Sequence, residues 1–417
     1  MPRDLIIVNC KQLVTLAGPS VPRVGHDLNN LGIIQDGALW ARDGKIERVG
    51  TWDEIKTVAP TDADTIDAED RIVLPGFVDA HTHLVFGGSR AGEFERRALG
   101  ESYQSIAASG GGIRSTVRQT RAATELELLI SAKRRAHWLL RNGTTTAEIK
   151  SGYGLALEHE AKMLRIARSL GETGTLRVVG TFLGAHEFPD EFRDRREEYV
   201  ELLINEMLPA IANERLAEYA DIFCEPHLFN TEIAYRIMIA ASNLGFGLRM
   251  HVDQLNSSGG AQLAARLKAA TADHLEQTDE PGMMALRDAG VQPVLLPASV
   301  YALGLQRYPA ARRMVELGLP IVLATDLNPG SSPTPSIPMV LSLAVTQMKL
   351  SVAEAISAVT VNAAYSLKRA HEIGSLEPGK YADFVIHDCD DYRELAYYFG
   401  VEPARQVFIA GESVYER

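Results

Sequence analysis

Cysteine is scarce: Cys10, Cys224 and Cys389 are the only three in 417 residues, widely separated and with no CxxC pair. That suits a reducing, cytoplasmic compartment without structural disulfides. No apolar run is long enough to span a bilayer, and the N-terminus has no basic-then-apolar signal pattern. Without that signal, the sequon Asn256-Ser257-Ser258 reads as accidental. Positive charge is in deficit, with 42 Lys and Arg against 54 Asp and Glu and a net charge of −12. A chain this acidic argues against nucleic acid and against an anionic membrane surface as partners. Several catalytic signatures are missing too. Gly87-Gly88-Ser89-Arg90-Ala91 lacks the last glycine of a nucleophile elbow. Lys150-Ser151 follows Ile149, so there is no phosphate-binding loop, and Gly110-Gly111-Gly112 reads as a turn.

What is present is a change of texture along the chain. Leu5-Ile6-Ile7-Val8 is a short apolar strand, and residues 36–49 alternate around Asp43-Gly44, a hairpin signal. From residue 72, apolar strand-like runs alternate with amphipathic helical stretches. The strands fall at 72–80, 144–150, 175–184, 219–224, 246–252, 271–275, 292–297 and 320–325. Leu126–Arg141, Leu157–Leu170 and Arg195–Ala212 are among the helices between them. Eight strands with helical crossovers predict an α/β fold, a closed (β/α)₈ TIM-like barrel. An open doubly wound sheet is the alternative, weakened because no Gly-x-Gly-x-x-Gly follows the first strand. Strand texture returns at Tyr381–Ile386 and Val407–Val414. The two chain ends, 1–71 and 369–417, are therefore expected to form a small composite β-sandwich domain beside a barrel spanning 72–368.

Reactive sites of such barrels lie at the C-terminal ends of the strands. His81 and His83 end the first strand. Side chains alternate along a strand, so these two share a face. His186 follows the third strand, His251 ends the fifth, His274 the sixth, and Asp326 follows the eighth. Five of the eleven histidines thus fall at strand ends. Singly, each reads equally well as a polar residue at a strand edge; together they point to one metal centre. Three imidazoles and a carboxylate, His81, His83, His251 and Asp326, suit Zn²⁺ or a non-haem iron ion. Such an ion lowers the pKa of a bound water from about 15.7 to roughly 7. His274 and Asp326 are then placed to move protons, although His274 also reads as a buried structural histidine. Cys224 has no evident base and is expected to be buried. His227 reads as a surface loop residue.

Val73–His83 resembles the first metal motif of the amidohydrolase superfamily, and Leu376–Asp383 its return into the β domain. Glu148–Leu155, Thr181–His186, Ala272–Leu275, Ala324–Thr334 and Val359–Tyr365 resemble, more narrowly, the branch that opens the cyclic amide of 4-imidazolone-5-propanoate in histidine degradation. The product of that reaction is N-formimidoyl-L-glutamate. The resemblance implies one metal ion per subunit on the four ligands above. It implies that Arg90 grips the propionate two-point fashion. Tyr153 and His186 would contact the ring and its carbonyl, with His186 donating to the oxyanion. Asn328, Gly330 and Ser331 would complete the pocket, and Tyr103 is a weaker candidate for its carboxylate end. One position departs from the pattern. Some members carry a glutamate where this chain has Gln254, which can hydrogen-bond the ring but cannot act as a base. Asp253, the neighbouring carboxylate, faces the other way on the strand pattern. Residues 84–114, with Ser109–Gly112, read as a lid, and barrels of this kind often form homodimers. Two other readings stand beside this one: a different cyclic amidase or heterocycle deaminase of the superfamily, and a metal-free barrel kept for binding.

Overall fold

The computed structural model describes residues 4–101, 105–106 and 109–417. Eight parallel strands form the barrel: β1 (Phe77–Thr82), β2 (Thr144–Lys150), β3 (Arg177–Ala185), β4 (Tyr219–Cys224), β5 (Gly247–Val252), β6 (Thr271–His274), β7 (Gln292–Leu295) and β8 (Val322–Leu323). They pair in sequence order. Backbone bonds across the remaining gap draw the last strand to the first: Asp326 N donates to His81 O at 3.0 Å and His83 N to Leu327 O at 2.9 Å. The residues that close the barrel are therefore the residues of the expected metal site.

The helices between strands start where local chemistry dictates. Helix Glu125–Arg141 opens on a capping box in which Thr124 and Glu127 satisfy each other's backbone N–H groups. The sequence expectation of one helix over Arg195–Ala212 holds as a continuous run, Arg196–Asn213, with a wider turn at Leu203–Met207.

The chain ends meet in a second sheet, mixed and continuous. Its order is Glu412–Glu416, Ala404–Ile409, Phe384–His387, Ile72–Pro75, Asp4–Val14, Ile33–Arg42 and Lys45–Thr51, with Asp64–Asp67 pairing on Asp4–Val14. Leu13, Leu39, Val73, Phe384 and Phe408 form its core. Here one expectation is corrected: 72–80 is not a single strand. Ile72–Pro75 belongs to the terminal sheet and Phe77–Thr82 to the barrel. The chain changes sheets at Gly76, where a Cβ would lie 2.1 Å from Thr145 Oγ1. Only glycine permits that approach. The apolar run hides the change because both halves are buried.

Candidate functional site

Four donor atoms converge at the C-terminal mouth of the barrel. His81 Nε2 and His83 Nε2 are 3.3 Å apart, and His251 Nε2 is 3.4 Å from His83 Nε2. Asp326 Oδ1 lies 3.5 Å from the Nε2 atoms of both His81 and His83. Donors set about 2.0–2.1 Å from a tetrahedral ion stand roughly 3.3–3.4 Å from one another. The spacing among His81, His83 and Asp326 is in that range, and the three form a group that could hold a metal ion.

The protons agree. His81 Nδ1 is 2.6 Å from Asp273 Oδ2, and His251 Nδ1 is 3.1 Å from Asp221 Oδ1. A carboxylate there takes the ring hydrogen, so both Nε2 atoms present lone pairs. Burial, followed by the Lys150 charge and the neighbouring imidazoles, holds His81 well below the ordinary histidine range. Burial, then His186, does the same for His83. Neutral imidazoles are the form a metal needs. Lone pairs packed this closely repel unless a cation lies among them. His274 stands beside the set, since His81, His251 and His274 also bring donor atoms within 4.8 Å of one another.

Beneath the imidazoles lies a layer of buried charge. Lys150 Nζ is 2.7 Å from Asp221 Oδ2, 2.9 Å from Glu148 Oε1 and 3.7 Å from Asp273 Oδ2. Arg249 Nε is 3.6 Å from Glu148, and its Nη2 donates to Ala80 O at 2.7 Å. All five side chains are fully buried. Burial alone would lower Lys150, but Asp221 and Glu148 outweigh it and raise its pKa. One ammonium thus ties together the two carboxylates that orient His81 and His251. Three carboxylates face two cations, which leaves a negative surplus under the donor set. Sequence reading gave none of these five a role. The available signal was a charged residue inside a wholly buried strand, as at Glu148 and Lys150 on β2.

Above the donors opens a cavity of about 710 Å³. Its lining includes Arg90, Tyr153, His186, Gln254, His274, Asn328, Gly330 and Ser331, so every described residue expected to touch substrate faces it. Tyr103 lies outside the described residues, as does part of the expected lid. His227, expected on a surface loop, is exposed but lines the mouth, where its carbonyl accepts from Arg196 at 2.9 Å.

Two of these residues have their polar atoms engaged by the protein. His186 was expected to donate to an oxyanion. Its Nδ1 is 3.0 Å from Gly152 O, and a carbonyl can only accept, so the ring hydrogen sits on Nδ1. Burial pushes His186 down to about 3, which keeps the ring neutral. Its Nε2 is therefore left as an acceptor at the cavity. Asn328 lines the cavity, but its amide is saturated within its own loop. Its Nδ2 donates to Asp326 O at 2.7 Å and Ser331 Oγ at 2.9 Å, while Oδ1 accepts from Gly330 N and Ser331 N. It shapes the loop that carries Asp326.

The remaining polar residues hold the site in place. His274 Nδ1 meets Glu276 Oε1 at 3.3 Å; burial would lower this imidazole, but Glu276 outweighs it and raises its pKa. His274 and Asp326 adopt φ of 81° and 54°, in the left-handed region that non-glycine residues rarely occupy. Glu160 accepts from the backbone of Gly152, Gly154 and Leu155 and so sets the loop of Tyr153. Glu225 accepts from Leu255 N at 2.8 Å and pins the loop of Gln254. Asp253 accepts from Ser258 N, Gly260 N and Ala261 N at the start of helix Gly260–Leu267, which accounts for it as a structural group. Cys224 is buried as expected, its thiol pushed up to about 12 by burial. Among the described residues no helix is long and apolar enough to cross a membrane.

Comparison with known proteins matches residues 72–414 to the model of the amidohydrolase family. An imidazolonepropionase of Solibacter usitatus is 60% identical over 414 residues, covering 99% of both chains. One from Geobacillus kaustophilus is 44% identical, covering 99% of this chain and 98% of its own. Among solved structures, Escherichia coli guanine deaminase superposes with a TM-score of 0.75 at 17% identity, covering 100% of this chain and 99% of its own. An adenosine deaminase from Xanthomonas campestris with bound zinc gives 0.71 at 19% identity, covering 99% and 92%. These two likenesses concern the fold.

Proposed function

The chain belongs to the amidohydrolase family and, within it, to the imidazolonepropionases, and on that premise we propose how its site carries out their reaction. The protein is a hydrolase that opens the cyclic amide of 4-imidazolone-5-propanoate to N-formimidoyl-L-glutamate in histidine degradation. The observation that carries the reading is the set of buried donors at the floor of a cavity that also holds Arg90: His83 Nε2 lies 3.3–3.4 Å from His81 Nε2 and His251 Nε2, and Asp326 Oδ1 lies 3.5 Å from His81 and His83.

His81, His83, His251 and Asp326 would hold one Zn²⁺ or iron ion per subunit. When bound, that ion supplies Lewis acidity and eases deprotonation of a water. The rest falls to the protein. Arg90 grips the propionate, and Tyr153 and Gln254 flank the ring. His186 Nε2 accepts a ring N–H and turns the scissile carbonyl toward the donor set. Asp326 takes the proton of the attacking water. His274, its Nδ1 engaged by Glu276, uses Nε2 to pass a proton to the departing ring nitrogen. Ser331 Oγ, 3.5 Å from Asp326 Oδ2, steadies that carboxylate. A cytoplasmic location is supported by the three buried thiols. A homodimer is supported by analogy with other barrels alone.

Turnover is followed as loss of the substrate's ultraviolet absorbance. Stripping the metal with a chelator is expected to abolish it, and restoring one equivalent of Zn²⁺ or Fe²⁺ to recover it. Full turnover by metal-free protein would sink the proposal. Gln254→Ala is expected to raise KM with a small change in kcat, because an amide positions the ring but moves no proton. A kcat loss as deep as that of Asp326→Asn would contradict this assignment.

A further inference from the structure

We propose that Arg97 is a second binding residue for the substrate's side-chain carboxylate, acting with Arg90 as a two-guanidinium clamp. The proposal rests on the reading of Arg90 given above. Arg90 precedes helix Ala91–Ala98 and Arg97 lies in its last turn. Seven residues make two helical turns, so the two side chains leave the same face. Both reach one point, the loop after β8 at Gly330. A Cβ on Gly330 would lie 2.1 Å from Arg90 Nη1, so the guanidinium rests directly on the glycine backbone. Arg97 Nη2 donates to Gly330 O at 3.4 Å, and both arginines line the cavity.

The charges around this pair do not balance. Glu93 Oε2 takes Arg90 Nε at 2.9 Å, and the same carboxylate also accepts from Gly112 N. Glu101 lines the cavity as well, but Arg96 holds it, Nε to Oε2 at 2.7 Å. Among the described residues Arg97 has no carboxylate partner. Two guanidiniums therefore reach the Gly330 loop with one carboxylate, Glu93 on Arg90, to answer them, inside a protein of net charge −12. Like charges side by side repel, and an entering anion relieves both. A carboxylate has about four lone-pair positions on two oxygens, and one two-point arginine leaves half of them open. The bond from Arg97 to Gly330 O is long, so releasing it to a charged acceptor costs little.

The test uses two stable ring analogues as competitive inhibitors, imidazole-4-propanoate and its neutral carboxamide. Arg97→Gln is expected to weaken the propanoate by about tenfold or more and the carboxamide by less than about twofold. With substrate, KM should rise while kcat stays within about threefold. Arg97→Lys should recover part of the loss, since it restores charge without the fork. Arg97→Gln affecting both inhibitors equally, or neither, overturns the clamp. Arg90→Gln, run in parallel, separates the two readings. If it discriminates the inhibitors and Arg97→Gln does not, only the clamp fails. If neither variant discriminates, the propionate assignment of Arg90 fails as well.

Discussion

Asp326→Asn is expected to lower kcat by about a thousandfold, with KM within a few-fold of the parent. Asp326 has two duties at one carboxylate. Oδ1 faces the Nε2 atoms of His81 and His83 at 3.5 Å, and Oδ2 remains beside Ser331 Oγ. An amide keeps the shape but loses the charge, and it cannot accept a proton as a base. Loss of a positioned base alone amounts to about 10²–10⁴ in rate. Burial raises the Asp326 carboxyl above the usual range, and His274 and His251 offset it, so the group sits where its charge depends on the cation set around it. Steady-state kinetics combined with metal content per subunit checks the assignment. If the variant keeps its metal and still turns over within tenfold of the parent, Asp326 is not the proton acceptor.

Lys150→Met should cost about 3–5 kcal/mol of stability, the range for breaking one partner out of a buried ion pair. Lys150 is fully buried against Glu148, Asp221 and Asp273, so methionine fills the volume but leaves three carboxylates facing Arg249 alone. Repulsion among them would move Asp221 and Asp273 and, through them, the rings of His251 and His81. Asp221→Asn removes that orienting charge with little change of volume, and is expected to weaken metal affinity by about 10–100-fold. Urea denaturation of the metal-free protein reports the first effect, and competition against a chelator reports the second. Unchanged metal affinity in Asp221→Asn would show that the network supports the fold without tuning the site.

The outline of the candidate site is legible because its proposed donors announce themselves locally. His81 and His83 are two apart at the end of an apolar run, and alternation puts them on one face. His251, His274 and Asp326 also end or follow apolar runs, and strand ends are where a barrel gathers chemistry. The direction of each hydrogen bond was not legible. His186 reads as a donor until Gly152 O, 34 positions away, claims its hydrogen. Nor does the sequence tell that all four bonding positions of the Asn328 amide are engaged inside its own loop. Arg97 looks like any helix-surface arginine until Gly330, 233 positions on, accepts from it on the loop against which Arg90 rests.

The sequence by itself determined the kinds of element, their alternation, and which side chains stand at the strand ends, because period, turn chemistry and chain direction act over a few residues. Tertiary structure alone decided which strand joins which sheet, as at Gly76, and which charges lie buried together, as Lys150 does with Asp221 71 positions away. The physical reason is range. Side-chain facing repeats along the backbone, whereas protonation, hydrogen-bond polarity and ion pairing depend on groups that meet only once the barrel has closed.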